Sequence, residues 1–204
     1  MSNKQTQKHI IHVFDVDGTI TEKDSFMELL RYFIPSNIDW FHTWFRAIPA
    51  LVKGFLKGEL SLAKLHLLNS LWHGKKQTDI YRDCSLYFTK RMKYDIKPKA
   101  LEHIKQLQQN KPAEGILLLS ASCREWLIHL ATFLKADLIC TELKYNAETI
   151  LTGQFTTPNC KGKEKVNRLL EKYPANQFEF ICYGNSPADK QLQSISKEFY
   201  YRYF

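Results

Sequence analysis

Hydrophobic residues recur along this chain in two rhythms. Short, nearly continuous apolar runs at about 10–16, 115–120, 137–141, 178–183 and 198–203 suit strands buried on both faces. Amphipathic stretches near 98–109, 123–134, 163–173 and 187–195 suit helices. Their alternation predicts an α/β fold, a Rossmann-like parallel sheet with helices on both faces. Residues 142–157 read as a small hairpin around Glu148 to Gly153.

The rhythm changes between the first strand and the second. Over residues 22–96 the apolar positions keep helical spacing: Phe26, Leu29, Leu30 and Phe33, then Leu62, Leu65, Leu68 and Leu71, then Ile80, Cys84, Tyr87 and Met92. Pro35, Gly58 and Gly74-Lys75 mark turns between them. Three or four helices are expected here. The predicted organisation is a core of residues 1–21 and 97–204, with an all-helical insert at 22–96.

Composition fits a soluble globular protein, with 44% hydrophobic and 25% charged residues in 204. Without 18 uncharged apolar residues in succession, a spanning helix is not expected. The start, MSNKQTQKH, is polar and lacks a signal-peptide core. Cys84, Cys123, Cys140, Cys160 and Cys182 are scattered, form no CxxC pair, and suit reduced thiols in the cytoplasm. A net charge of +8 favours an anionic partner. Basic residues are dispersed and no nucleic-acid motif is visible, so nucleic acid is not the expected partner.

The candidate chemistry starts at the end of the first strand. In HVFDVDGTI, Asp15 and Asp17 emerge where the apolar run gives way to a Gly turn. Ligands of open α/β sheets bind outside the carboxyl ends of the strands. An Asp there serves as nucleophile, metal ligand or both; the plain alternative is turn chemistry. Position favours the first reading, because a carboxylate between Phe14 and Val16 is costly without a cation or donors.

The string DVDGT resembles the first signature of the haloacid dehalogenase superfamily. The remaining elements follow in that family's order. Gly115-Ile116-Leu117-Leu118-Leu119-Ser120 is a strand ending in a hydroxyl, followed by Ala121, Ser122 and Cys123. Asn159-Cys160-Lys161-Gly162-Lys163-Glu164-Lys165-Val166 offers the lysine; Lys165 is favoured, with Lys161 and Lys163 as alternatives. Gly184-Asn185-Ser186-Pro187-Ala188-Asp189 closes the set. The family usually carries Asp where Asn185 stands. An amide oxygen still suits a hard cation but adds no charge.

The resemblance implies a phosphatase with a helical cap, similar to the phosphoserine phosphatase-like subclass IB. It implies Asp15 as nucleophile and Asp17 as general acid and base. Ser120 and Lys165 would hold the phosphoryl oxygens, with Thr19 and the Ala121 backbone adding substrate contacts. Mg2+ would be held by Asp15, Asp17 through its backbone carbonyl, and Asn185, with Asp189 on a metal-bound water or the lysine. Asp24 is the nearest acidic counterpart of a substrate-amine reader, or simply a helix cap. Because Ser120-Ala121-Ser122-Cys123 replaces the usual Ser-Gly-Gly-Phe, serine phosphate is not supported as substrate.

Residues 38–57 of the insert are rich in aromatics with basic residues interspersed. Two readings stand: the core of the insert itself, or an interfacial segment in peripheral contact with a membrane. The expected partner is therefore a phosphorylated small molecule or a lipid headgroup such as phosphatidylglycerophosphate. A phosphate-binding module with weak turnover is the non-enzymatic alternative.

Overall fold

In a computed structural model describing residues 8–56 and 61–204, the core strands are β1 (His9–Phe14), β2 (Gly115–Cys123), β3 (Asp137–Thr141), β6 (Phe178–Gly184) and β7 (Glu198–Tyr201). They form one parallel sheet in the order β3-β2-β1-β6-β7. The short antiparallel pair β4 (Leu143–Tyr145) and β5 (Leu151–Phe155) is the expected hairpin. Residues 1–7 of the polar start lie outside the described residues, as does the turn expected at Gly58.

Side chains alternate across each strand and build two cores. Ile11 and Val13 of β1 join Leu117, Leu119, Phe180 and Cys182 on one face. That face is covered by α7 (Lys163–Lys172), which contributes Leu169. Phe14, Ile116, Leu118, Ile181 and Tyr183 point to the other face. There they meet α5 (Pro98–Asn110) and α6 (Arg124–Phe133).

Among the described residues the insert holds four α-helices, α1 (Ser25–Phe33), α2 (Asn37–Leu56), α3 (Ser61–Trp72) and α4 (Gln77–Lys90), and a 3-10 turn at Met92–Asp95. Its two ends are stitched together where Glu22 N–H donates to Asp95 O at 2.9 Å and Lys97 N–H to Ile20 O at 2.8 Å. The helices share one apolar cluster with the sheet: Leu30, Trp72 and Tyr87 are buried with Trp126 and Leu130 of α6.

Three local expectations change. The buried side of α3 is Ala63, Leu67, Leu68 and Trp72; of the row Leu62, Leu65, Leu68 and Leu71, Leu68 is fully buried and Leu65 and Leu71 are partly buried against the core. This helix is apolar on most sides, so packing of the large Trp72 ring near Trp126 sets its rotation. The helix expected at 187–195 is a 3-10 segment, Asp189–Ser194, too short to sustain an α-helix. Strand β2 runs three residues further than expected. Its pairing steps from Ser120 opposite Cys140 to Cys123 opposite Thr141, a bulge that frees Ala121 and Ser122 from the ladder.

The aromatic segment divides by face. Ala47 is buried, and Trp40, Trp44 and Leu51 pack against the shared core. Ile38, Phe41, Phe45, Ile48, Val52 and Leu56 point outward. Lys57 of that segment lies outside the described residues.

Candidate active site

The sheet order reverses beside β1, so the ends of β1, β2 and β6 surround a topological switch point. Asp15 follows β1 directly, and its N–H donates to Tyr183 O of β6 at 2.9 Å. The turn needs Gly18, whose φ is +76°. A Cβ on Gly18 would lie 2.2 Å from Asn185 Nδ2. The first and fourth sequence elements thus meet at a backbone with no room for a side chain.

Asp15 is buried. Lys165 Nζ donates to its Oδ1 at 2.6 Å, and Thr19 Oγ1 to its Oδ2 at 3.1 Å. Burial pushes the Asp15 carboxyl up to about 6; Lys165 opposes the rise, while Asp189 and Asp17 add to it. Lys165 also donates to Asp189 Oδ1 at 2.6 Å. Burial works against its charged form, but the two carboxylates outweigh it and raise its pKa. Asp189 is held below the usual carboxylate range: burial would raise it, and Lys165 with the Ser186 hydroxyl and N–H outweigh that effect. Both Asp189 oxygens are engaged, one by Lys165 and the other by Ser186. Lys165 is buried in the first turn of α7, whereas Lys161 and Lys163 are exposed.

Asp17 sits in a different environment two residues on. Ser25 N–H donates to its Oδ1 at 2.7 Å. The Ser122 hydroxyl reaches its Oδ2 at 2.7 Å and that of Ser120 at 3.5 Å. Ser122 N–H in turn donates to Ser120 Oγ at 3.0 Å. Ser120 and Ser122 stand two residues apart at the end of β2, and both hydroxyls reach the same Asp17 oxygen. Ser25 is fixed by Trp126 Nε1–H donating to its Oγ at 3.0 Å and Tyr87 O–H donating to its carbonyl at 2.9 Å.

The sequence pattern does not reveal the contact of the Ser122 hydroxyl or of the Ser25 N–H with Asp17, nor the support from Tyr87 and Trp126. The signal for Ser122 is its i+2 spacing from Ser120 across a strand that ends late. Ser25 had only its place after Asp24. Asp24 itself caps α1, its Oδ1 accepting from Met27 N–H at 2.9 Å. The Ala121 carbonyl accepts from Thr141 Oγ1 at 2.9 Å and from Lys64 Nζ at 2.8 Å. Lys64 belongs to α3 and lies over the rings of Phe26 and Trp126, so the insert touches the end of β2 through a cation. A cavity of about 570 Å³ opens within the insert, lined by residues including Asp39, Thr43, Arg46 and His66, none of them a residue expected at the site.

The order, the strand-end placement and the Asp15–Lys165–Asp189 contacts agree with one family. A model of haloacid dehalogenase-like hydrolases matches residues 12–193. The chain belongs to the haloacid dehalogenase-like hydrolases. It is 25% identical to Protein CicA of Caulobacter vibrioides, over all of this chain and 90% of that one. A Bordetella pertussis Tohama I protein of unknown function has a similar fold, with TM-score 0.73 and 18% identity over 95% of this chain and 90% of that one. So has a phosphoserine phosphohydrolase-like protein of Francisella tularensis, with TM-score 0.62 and 16% identity over 95% and 86%.

Members of this hydrolase family generally use Mg2+. Among the described residues, no three His, Cys, Asp or Glu side chains are grouped to hold a metal. The donors at hand are the Asp15 carboxylate, the Asp17 carbonyl and Asn185, which abuts the Gly18 turn. All are oxygen donors of the kind a hard cation accepts, and Mg2+ commonly keeps several waters. The charges agree: among the described residues Lys165 is the cation that pairs with the buried carboxylates of Asp15 and Asp189, leaving a negative surplus for a cation to offset. The residues therefore fit Mg2+.

Proposed function

We propose that this hydrolase cleaves phosphomonoesters with Mg2+, passing the phosphoryl group through Asp15. The observation that carries the reading is the contrast between two carboxylates on one turn. Asp15 faces a lysine, whereas Asp17 faces hydroxyls and an N–H. Such divergent surroundings fit two carboxylates with separate roles.

In the first step an Asp15 oxygen bonds to phosphorus as the ester P–O bond breaks in line. Asp17 gives its proton to the departing alkoxide. In the second step Asp17 takes a proton from water as that water attacks phosphorus. The bond to Asp15 breaks, releasing phosphate and restoring both carboxyls. A hydroxyl donates or accepts, so the Ser122 contact serves Asp17 in either protonation state. Lys165 orients Asp15 and, with Ser120, meets the phosphoryl oxygens as charge redistributes. When bound, Mg2+ would neutralise phosphoryl charge, held by Asp15, the Asp17 carbonyl and Asn185. The helical insert serves as a cap that excludes water.

Phosphate release from p-nitrophenyl phosphate and a panel of alkyl phosphomonoesters tests the reading. The parent should turn over with Mg2+, lose activity in EDTA, and lose it on Asp15→Asn. Phosphate binding without release by the parent would identify a binding module instead.

A further inference from the structure

The outward face of α2 is apolar over the whole helix. Ile38, Phe41, Phe45, Ile48, Val52 and Leu56 follow one another at three- or four-residue steps, and each is between 47% and 78% exposed. That spacing lines them up on one stripe about 27 Å long. Single exposed apolar side chains are ordinary, but a continuous row marks a contact surface.

One edge of the stripe is mainly basic. Arg46 and Lys53 are exposed along it together with His42, and Asp39, the single acid of α2, lies at the N-terminal end of the same edge. The other edge turns in through Trp40, Trp44 and Leu51 to the core. The geometry points to an anionic lipid bilayer as the occupant, with α2 lying in the plane of the interface. Phe41, Phe45 and the aliphatic side chains enter the acyl boundary while Arg46 and Lys53 meet headgroup phosphates. The net charge of +8 adds long-range attraction to such a surface. Among the described residues no helix is long and apolar enough to cross a membrane, so the contact is peripheral. A second copy fits less well: antiparallel packing of two α2 stripes sets the cationic edges against each other. This docking surface stands apart from the Asp15 chemistry, since none of its residues contacts that site.

Co-sedimentation with phosphatidylcholine vesicles, with and without phosphatidylglycerol, tests it. The parent should bind the mixed vesicles and release from them as salt rises. Phe41→Ser combined with Phe45→Ser should weaken binding about tenfold or more and leave turnover of p-nitrophenyl phosphate unchanged. Arg46→Glu with Lys53→Glu should remove the preference for anionic vesicles. Asp15→Asn should bind as the parent does, which separates docking from catalysis. A parent that ignores anionic vesicles, or stripe variants that bind like it, would overturn the proposal. So would a concentration-dependent dimer in sedimentation velocity that the Phe substitutions abolish, which would name a second copy as the occupant.

Discussion

Lys165 Nζ lies 2.6 Å from Asp15 Oδ1 and at the same distance from Asp189 Oδ1, all three side chains being buried. One ammonium thus compensates two carboxylates taken out of water. Removing a partner from a buried charge cluster is far more damaging than the net worth of the cluster, because the remaining charges are stranded.

Lys165→Met should therefore cost stability as well as turnover. Denaturant unfolding at pH 8 should show a loss of about 3–5 kcal/mol, smaller at pH 5, where stranded carboxyls protonate more readily. Turnover should fall by about 10²-fold or more. Unchanged stability at pH 8 would mean that Lys165 is not the compensating charge.

Ser122→Ala should weaken the proton transfers of Asp17 without unfolding the site, because Ser25 N–H still holds the other carboxylate oxygen. Alkyl phosphates, whose leaving group needs a proton, should lose about 10-fold in kcat/KM or more. p-Nitrophenyl phosphate, with its better leaving group, should lose less in the first step. Equal losses on both substrates would show that Ser122 does not act through general-acid catalysis.

Glu125 gives a pH dependence of its own. It is buried in the first turn of α6, Tyr145 O–H donates to its Oε1 at 3.1 Å, and its Oε2 has no partner among the described residues. Burial pushes its carboxyl from 4.5 up to about 7. The folded state then holds the proton where the unfolded chain has released it. Its contribution to stability is full below about pH 4.5 and is lost as pH rises through about 7. The span corresponds to at most about 3 kcal/mol. Glu125→Gln should raise the melting temperature at pH 8 more than at pH 5, as scanning calorimetry at the two pH values would show. An equal effect at both would remove Glu125 as the titrating group.

How much of this was legible depends on the residue type. Asp15 and Asp17 stood out because carboxylates are rare at the end of a buried apolar strand. Lys165 is favoured in the sequence by its place before Val166, Leu169 and Leu170, but Lys161 and Lys163 stay open there; burial decides it, since Lys165 is the one that packs inward. Ser122 and Ser25 were not separable, since serine is common after strands and at helix starts. Their contacts with Asp17 depend on how far β2 extends and on the approach of α1, both set by tertiary pairing. In α2 the periodicity holds two apolar stripes, Trp40-Trp44-Leu51 and Phe41-Phe45-Val52. Only packing decides which one the core takes. In α3, with apolar residues nearly all round, the buried row could not be read at all.

Peptide mapping of an acid-quenched reaction with an alkyl phosphomonoester identifies the side chain that carries the phosphoryl group. One phosphoryl group should be found on Asp15, formed only with Mg2+ and absent from Asp15→Asn. Phosphate release with the phosphoryl group on another residue, or undiminished release by Asp15→Asn, would contradict it.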